Sequence, residues 1–266
     1  MAVKKPAIGI FDSGLGGLTV LSAIQKQIPQ ENLIYVGDTA RVPYGTKSKE
    51  TVTRYALQIT EFLVGQGVKA LVVACNTASA FALTQLKSKF DIPIIGVLQP
   101  GARAAVATTK RKRVGVIGTE GTIRSGAYRQ AILELEPQVH LCMKACPLFV
   151  PLVEEGWVQH PVTELVAKTY LEDFIKEDID ALILGCTHYP LLKPILKDVL
   201  GPAVYLVDSA QETANELVSL LKAKNLQNES GKGKLEFYST DAPDKFQALA
   251  GRFLAQAVES VHLLEI

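Results

Sequence analysis

One shape occurs twice in this chain. "ALVVACNTAS" (residues 70–79) and "ALILGCTHYP" (residues 181–190) each run a strand-length apolar stretch into a cysteine and then into small polar residues. A single copy would be an ordinary turn from strand to helix. Two copies ending on the same reactive atom restrict the chain to folds built from two related units. Other pairs follow in the same order. "IGIFDSGLGGL" from residue 8 resembles "VGVIGTEGTI" from 114, "YVGDTARVPYG" from 35 has a weaker partner in "CPLFVPLVEEG" from 146, and "IIGVLQPGARAA" from 94 is echoed by "YLVDSAQETA" from 205. The offsets stay between 106 and 111 residues, and self-similarity at a near-constant offset marks an internal repeat.

The segments inside each unit are those of an α/β protein. "AIGIF" (7–11), "NLIYVG" (32–37), "ALVVAC" (70–75) and "IPIIGVL" (92–98) are continuously apolar rather than alternating, as parallel strands covered on both faces require. Between them, Ser48 is placed to cap a helix whose apolar face is Val52, Tyr55, Ala56, Ile59, Phe62 and Leu63, stopped by Gly65 and Gly67. Strand, helix, strand in this order predicts right-handed βαβ units. The expected fold is therefore two similar doubly wound α/β domains related by the repeat. Their loops face each other across a cleft at the carboxyl ends of the strands, where open α/β sheets bind ligands. "FYSTDAPDKFQALAGRFLAQAV" (237–258) reads as a closing strand and helix that return to the first unit. This places the division at 1–98 plus 210–266 for the first domain and 99–209 for the second.

Composition narrows the functional classes. At 266 residues, two domains can each bury a core. With 28 basic against 27 acidic side chains, the chain has no global field for nucleic acid or an anionic membrane. "KRKR" (110–113) reads as a solvated loop before a strand. "MAVKKPAIGIFDSG" lacks the apolar core of a secretory leader, and no apolar run reaches the ~20 residues of a membrane-spanning helix. A cytoplasmic location is expected, where four cysteines stay as thiols.

Cys75 and Cys186 then stand out. Each ends a strand at a helix start, where free backbone N–H groups and the helix dipole favour thiolate. His188 lies two residues beyond Cys186, a titratable imidazole in the same loop. Asp12 leads "DSGLGGL" (12–18), whose spacing is not that of a dinucleotide loop. Its backbone donors could instead hold a carboxylate at a helix starting near Gly17. "HLCMKAC" (140–146) offers His140, Cys142 and Cys146, but without a fourth ligand it reads as a buried strand and loop, and no metal is assigned.

Two thiols on opposite walls could form a redox pair, although such pairs usually lie as C-x-x-C in one loop. They could instead act as base and acid on opposite faces of one carbon, the thiolate removing a proton and the thiol returning one from behind. A cysteine hydrolase would leave the second thiol unused, and a two-lobed amino-acid binder would need neither.

"FDSGLGGLTV", "GDTARVPYG", "ACNTASA" and "LGCTHYPLL" together resemble the glutamate racemases of the cofactor-independent aspartate/glutamate racemase superfamily, over about residues 7 to 214. The resemblance implies interconversion of L- and D-glutamate for bacterial peptidoglycan, with neither pyridoxal phosphate nor metal, in a homodimer. It makes Cys186 the base toward L-glutamate and Cys75 the base toward the D enantiomer, assisted by His188 and Asp12 respectively. It further implies substrate contacts at Asp12, Ser13, Tyr44, Gly45, Asn76, Thr77, Thr119, Thr122, Thr187 and His188. Asp38 and Glu154 align with acidic residues near the site. A racemase for aspartate fits the two-cysteine logic equally.

Overall fold

The computed structural model of the chain describes residues 6–229, 231–254 and 257–266. Residues 1–5 and 255–256, which belong to the N-terminal segment and the closing helix of the sequence reading, lie outside the described residues. Four strands of the first half, β1 (Ile8–Asp12), β2 (Leu33–Gly37), β3 (Ala70–Val73) and β4 (Ile94–Gly96), lie in the order β2-β1-β3-β4. In the second half β5 (Arg113–Gly118), β6 (His140–Ala145), β7 (Ala181–Gly185) and β8 (Tyr205–Val207) lie in the order β6-β5-β7-β8. The two orders are the same, and every pairing is parallel. The sequence repeat is thus a repeat of topology. β9 (Leu235–Ser239) adds beside β2, and β10 (His262–Leu263) beside β9, which extends the first sheet to six strands among the described residues.

Alternate residues of each strand face opposite sides. Ile8, Ile10 and Val72 belong to one apolar cluster, while Phe11, Leu71 and Val73 belong to another on the reverse face. The first of these clusters also takes in Leu182 and Leu184 of β7, so the two sheets share a core. Helix Ser209–Ala223 packs against both Leu18–Gln27 and Leu98–Thr108, tying the halves together from outside.

The expected helix runs Lys49–Gly65, with the Ser48 side chain accepting from the Thr51 N–H and Gly67 turning the chain at φ +75°. Val52, Ala56, Ile59 and Leu63 are buried on its face, while Tyr55 and Phe62 are half-buried. Three local expectations are corrected. β4 is shorter than 92–98, because Val97 already caps helix Leu98–Thr108. β3 stops at Val73, which frees Cys75 to cap the next helix. "HLCMKA" is a strand at the sheet's edge, half-exposed along its length rather than buried, since among the described residues β6 pairs with β5 alone.

Candidate active site

Within each sheet parallel pairing brings the carboxyl ends of the strands to one rim, and the rims of the two sheets meet at one cavity. Phe11 pairs with Val73, and Gly118 with Gly185, so Asp12, Cys75, Thr119 and Cys186 all emerge there. This cavity is lined by Ser13, Tyr44, Gly45, Cys75, Asn76, Thr77, Thr119, Cys186, Thr187 and His188, and also by Val42, Pro43 and Val150. The last three are apolar and carry no polar signal in the sequence.

On the first wall, Cys75 caps helix Asn76–Lys89, its sulfur accepting from the Ala78 N–H at 3.5 Å and its thiol donating to Ser13 Oγ at 3.9 Å. The helix start was expected to favour thiolate. Instead, burial pushes the Cys75 thiol up to about 12, reinforced by the negative charge of Asp12, and the Ala78 N–H only partly offsets this. Cys75 is therefore a thiol at neutral pH.

Asp12 is fully buried. Its carboxylate accepts from the Gly14 N–H at 3.0 Å and from the Thr187 hydroxyl at 3.4 Å, and the glycine loop thus holds the chain's own carboxylate. Burial raises the Asp12 pKa, while His188 and the N–H groups of Gly17 and Gly14 pull it back down.

On the second wall, His188 Nδ1 lies 3.8 Å from Cys186 Sγ, and its Nε2 lies 3.0 Å from Glu154 Oε1. Burial works against a charged ring, but the hydrogen bonds and charges of Cys186 and Glu154 outweigh it and hold His188 at about 10. Phe253 meets the imidazole edge-on, with ring centroids 5.8 Å apart. The walls are therefore unequal: a neutral thiol faces a sulfur paired with a protonated imidazole.

Between the walls stand hydroxyls and amides. Thr77, Thr119 and Thr122 form a closed ring of hydroxyls at 2.9, 3.0 and 3.1 Å that joins the two lobes. Thr122 and Asp12 are buried and do not line the cavity; Thr122 bonds Thr77 and Thr119, and Asp12 bonds Thr187 and the Gly14 N–H. Tyr44 donates to the buried Asp38, which also accepts from Arg41 Nε at 2.8 Å and from the Thr240 hydroxyl at 2.8 Å. Gly45 lets this turn approach the second lobe, as a Cβ there would lie 2.6 Å from Thr119 Cβ. Asn76 is buried, and its Nδ2 has no hydrogen-bond partner among the described residues. A buried donor without a partner beside a cavity is suited to an anionic ligand.

Two repeated α/β lobes with a cysteine from each at one cavity define a class. A model of the Asp/Glu/hydantoin racemases matches residues 3–217, and the chain belongs to that family. Within it, a glutamate racemase of Geobacter metallireducens is 53% identical over 261 residues, covering 98% of this chain and 97% of the relative. The crystal structure of glutamate racemase isoform RacE1 from Bacillus anthracis superposes with a TM-score of 0.96 at 43% identity, covering 99% of each chain. That of the Francisella tularensis glutamate racemase in complex with D-glutamate gives 0.93 at 39% identity, covering 99% of this chain and 98% of that one. By these likenesses the chain stands among the glutamate racemases of the family.

Proposed function

We propose that this chain interconverts L- and D-glutamate by a two-base mechanism at Cys75 and Cys186, without a cofactor. The observation that carries the reading is that equivalent strand ends of two repeated sheets deliver these cysteines to one cavity. The electrostatic inequality of the walls suits the L to D direction. The Cys186 sulfur removes the α-proton of L-glutamate, breaking C–H and forming S–H, and the Cys75 thiol gives its proton to the opposite face. Proton transfer through Asp12 and His188 then resets the pair. The intervening carbanion is costly beside a carboxylate, and fixed donors such as Asn76 Nδ2 and the threonine hydroxyls stabilise it in a site that excludes water. The same reading makes the chain a cytoplasmic homodimer that supplies D-glutamate for peptidoglycan; among the described residues no helix is long and apolar enough to cross a membrane.

The test is incubation of the purified protein with L-glutamate in deuterated water, without added cofactor, following optical rotation and the α-proton NMR signal. Loss of rotation with deuterium at Cα is expected. The same assay with L-aspartate decides the substrate. Exchange with neither amino acid would leave a non-enzymatic amino-acid binder as the better account.

A further inference from the structure

Asn76 follows Cys75, and its free Nδ2 exists because its Oδ1 is already engaged: the Tyr128 hydroxyl donates to it at 2.7 Å. Tyr128 comes from the other lobe, on helix Ala127–Leu135, and is fully buried. Its ring lies against the end of β7, where a Cβ on Gly185 would fall 3.1 Å from Tyr128 Cε2. Gly185 is the residue before Cys186. A single side chain therefore touches both cysteine-bearing turns. The repeat itself carries this mark, since "ALVVAC" has Ala74 where "ALILGC" has Gly185, and the missing methyl leaves room for the ring.

We infer that Tyr128 is a positioning residue: its hydroxyl fixes the Asn76 carboxamide with the oxygen turned away and Nδ2 presented to the substrate's carboxylate. The inference rests on the reading of the cavity as the amino-acid site. A carboxamide turned over would place its oxygen against an anionic substrate and leave the phenol proton without an acceptor, as Asn76 is the hydroxyl's one hydrogen-bond partner among the described residues. A buried donor left unpaired is costly. Burial, with the charge of Cys186 behind it, keeps the phenol well above its ordinary pKa, so it stays a donor throughout the working range. The donor that meets the substrate on the Cys75 side is thereby held by the lobe that carries Cys186.

Steady-state racemisation by wild type, Y128F, N76A and the double variant tests this. Phenylalanine keeps the ring and removes only the hydroxyl. KM should rise about tenfold for both enantiomers in Y128F, the scale of a hydrogen bond to a charged group, with kcat changed less than threefold. N76A should raise KM at least as much, and adding Y128F to it should change KM no further, because the hydroxyl acts only through the amide. Circular dichroism and melting curves on each variant keep the comparison to folded protein. A role confined to packing would instead leave KM in Y128F at the wild-type value, since phenylalanine keeps the ring, and any remaining effect would add to that of N76A. A wild-type enzyme that racemises glutamate, with a Y128F variant of unchanged KM or with additive effects, would overturn the inference alone. A wild type without turnover would remove the reading beneath it.

Discussion

Cys75 sits under opposing influences, a helix start that favours its charged form and burial beside Asp12 that disfavours it, and burial wins. The two walls should therefore be separable by mutation. Cys75→Ala should lower racemisation by roughly a thousandfold, the scale of general acid–base catalysis, yet still exchange the α-proton of L-glutamate with deuterium through Cys186. Cys186→Ala should spare exchange of the D enantiomer alone, and NMR of each enantiomer reads this directly. The raised His188 makes a second prediction. Its folded pKa of about 10 lies above the ordinary 6.5, so the folded state binds the extra proton and stability falls with rising pH between these values. The stabilisation is complete below 6.5 and lost as pH rises through about 10. Urea midpoints of wild type should drop from pH 7 to 9 more steeply than those of His188→Gln, a window that stays at or below the ordinary cysteine value of 9.0. At this scale the sequence makes Cys75, Cys186, Asp12 and His188 legible, because reactive side chains at strand ends are a local pattern. Tyr128 is not, since a tyrosine in a helix bears no trace of the amide it will meet in another lobe.

Elements bring these residues together through close approaches that only particular side chains permit. Gly16 lies under the Thr187–His188 turn, where a Cβ would fall 2.3 Å from Thr187 Oγ1 and 2.5 Å from His188 Nδ1. Gly16→Ala should displace His188 from Cys186 and lower kcat/KM by roughly a hundredfold, in line with the sensitivity of catalysis to ångström misplacements. Far-UV circular dichroism should be unchanged. At the opposite end of the first sheet, Lys69 Nζ bonds Glu31 Oε2 at 2.6 Å and Asn228 Oδ1 at 3.2 Å, and Glu31 accepts from the Asn228 N–H at 2.7 Å. This almost fully buried pair fastens the connector that leads to β9. Lys69→Met leaves a buried carboxylate unpaired and should cost about 3–5 kcal/mol in urea unfolding, most of it recovered when Glu31→Leu is added. Local pattern gave the helix after Ser48 and the strands flanking the cysteines. It did not give the edge position of β6, because the apolar character of "HLCM" is the same whether one neighbour or two lies beside it. Only the strand order decides that.

At the scale of the whole molecule, the repeat creates two lobes, and the question is whether they behave as two bodies. The repeat of two α/β units was legible in the sequence, but the coupling between them was not, since it depends on which sheet faces meet. One apolar cluster spans both sheets, from Ile8 and Ile10 through Val72 to Leu182, Leu184 and Phe174. Burying one such side chain contributes about 1.5–3 kcal/mol, so separating the lobes would expose side chains whose combined burial exceeds the net stability of a typical domain. Polar contacts cross the same seam at Asp12 and Thr187, at Asn76 and Tyr128, and around the threonine ring. The lobes should therefore unfold together. The chain has one tryptophan, Trp157, which lies in the second lobe beside helix Pro161–Lys176 and is stacked on His160. Its fluorescence reports that lobe alone, whereas far-UV circular dichroism reports both. The two urea transitions are expected to coincide, as a single cooperative unit requires. A fluorescence midpoint displaced from the dichroism midpoint would mean that the shared core does not couple the lobes. The cavity would then be a seam between independently stable halves, and its geometry would depend on the substrate to close it.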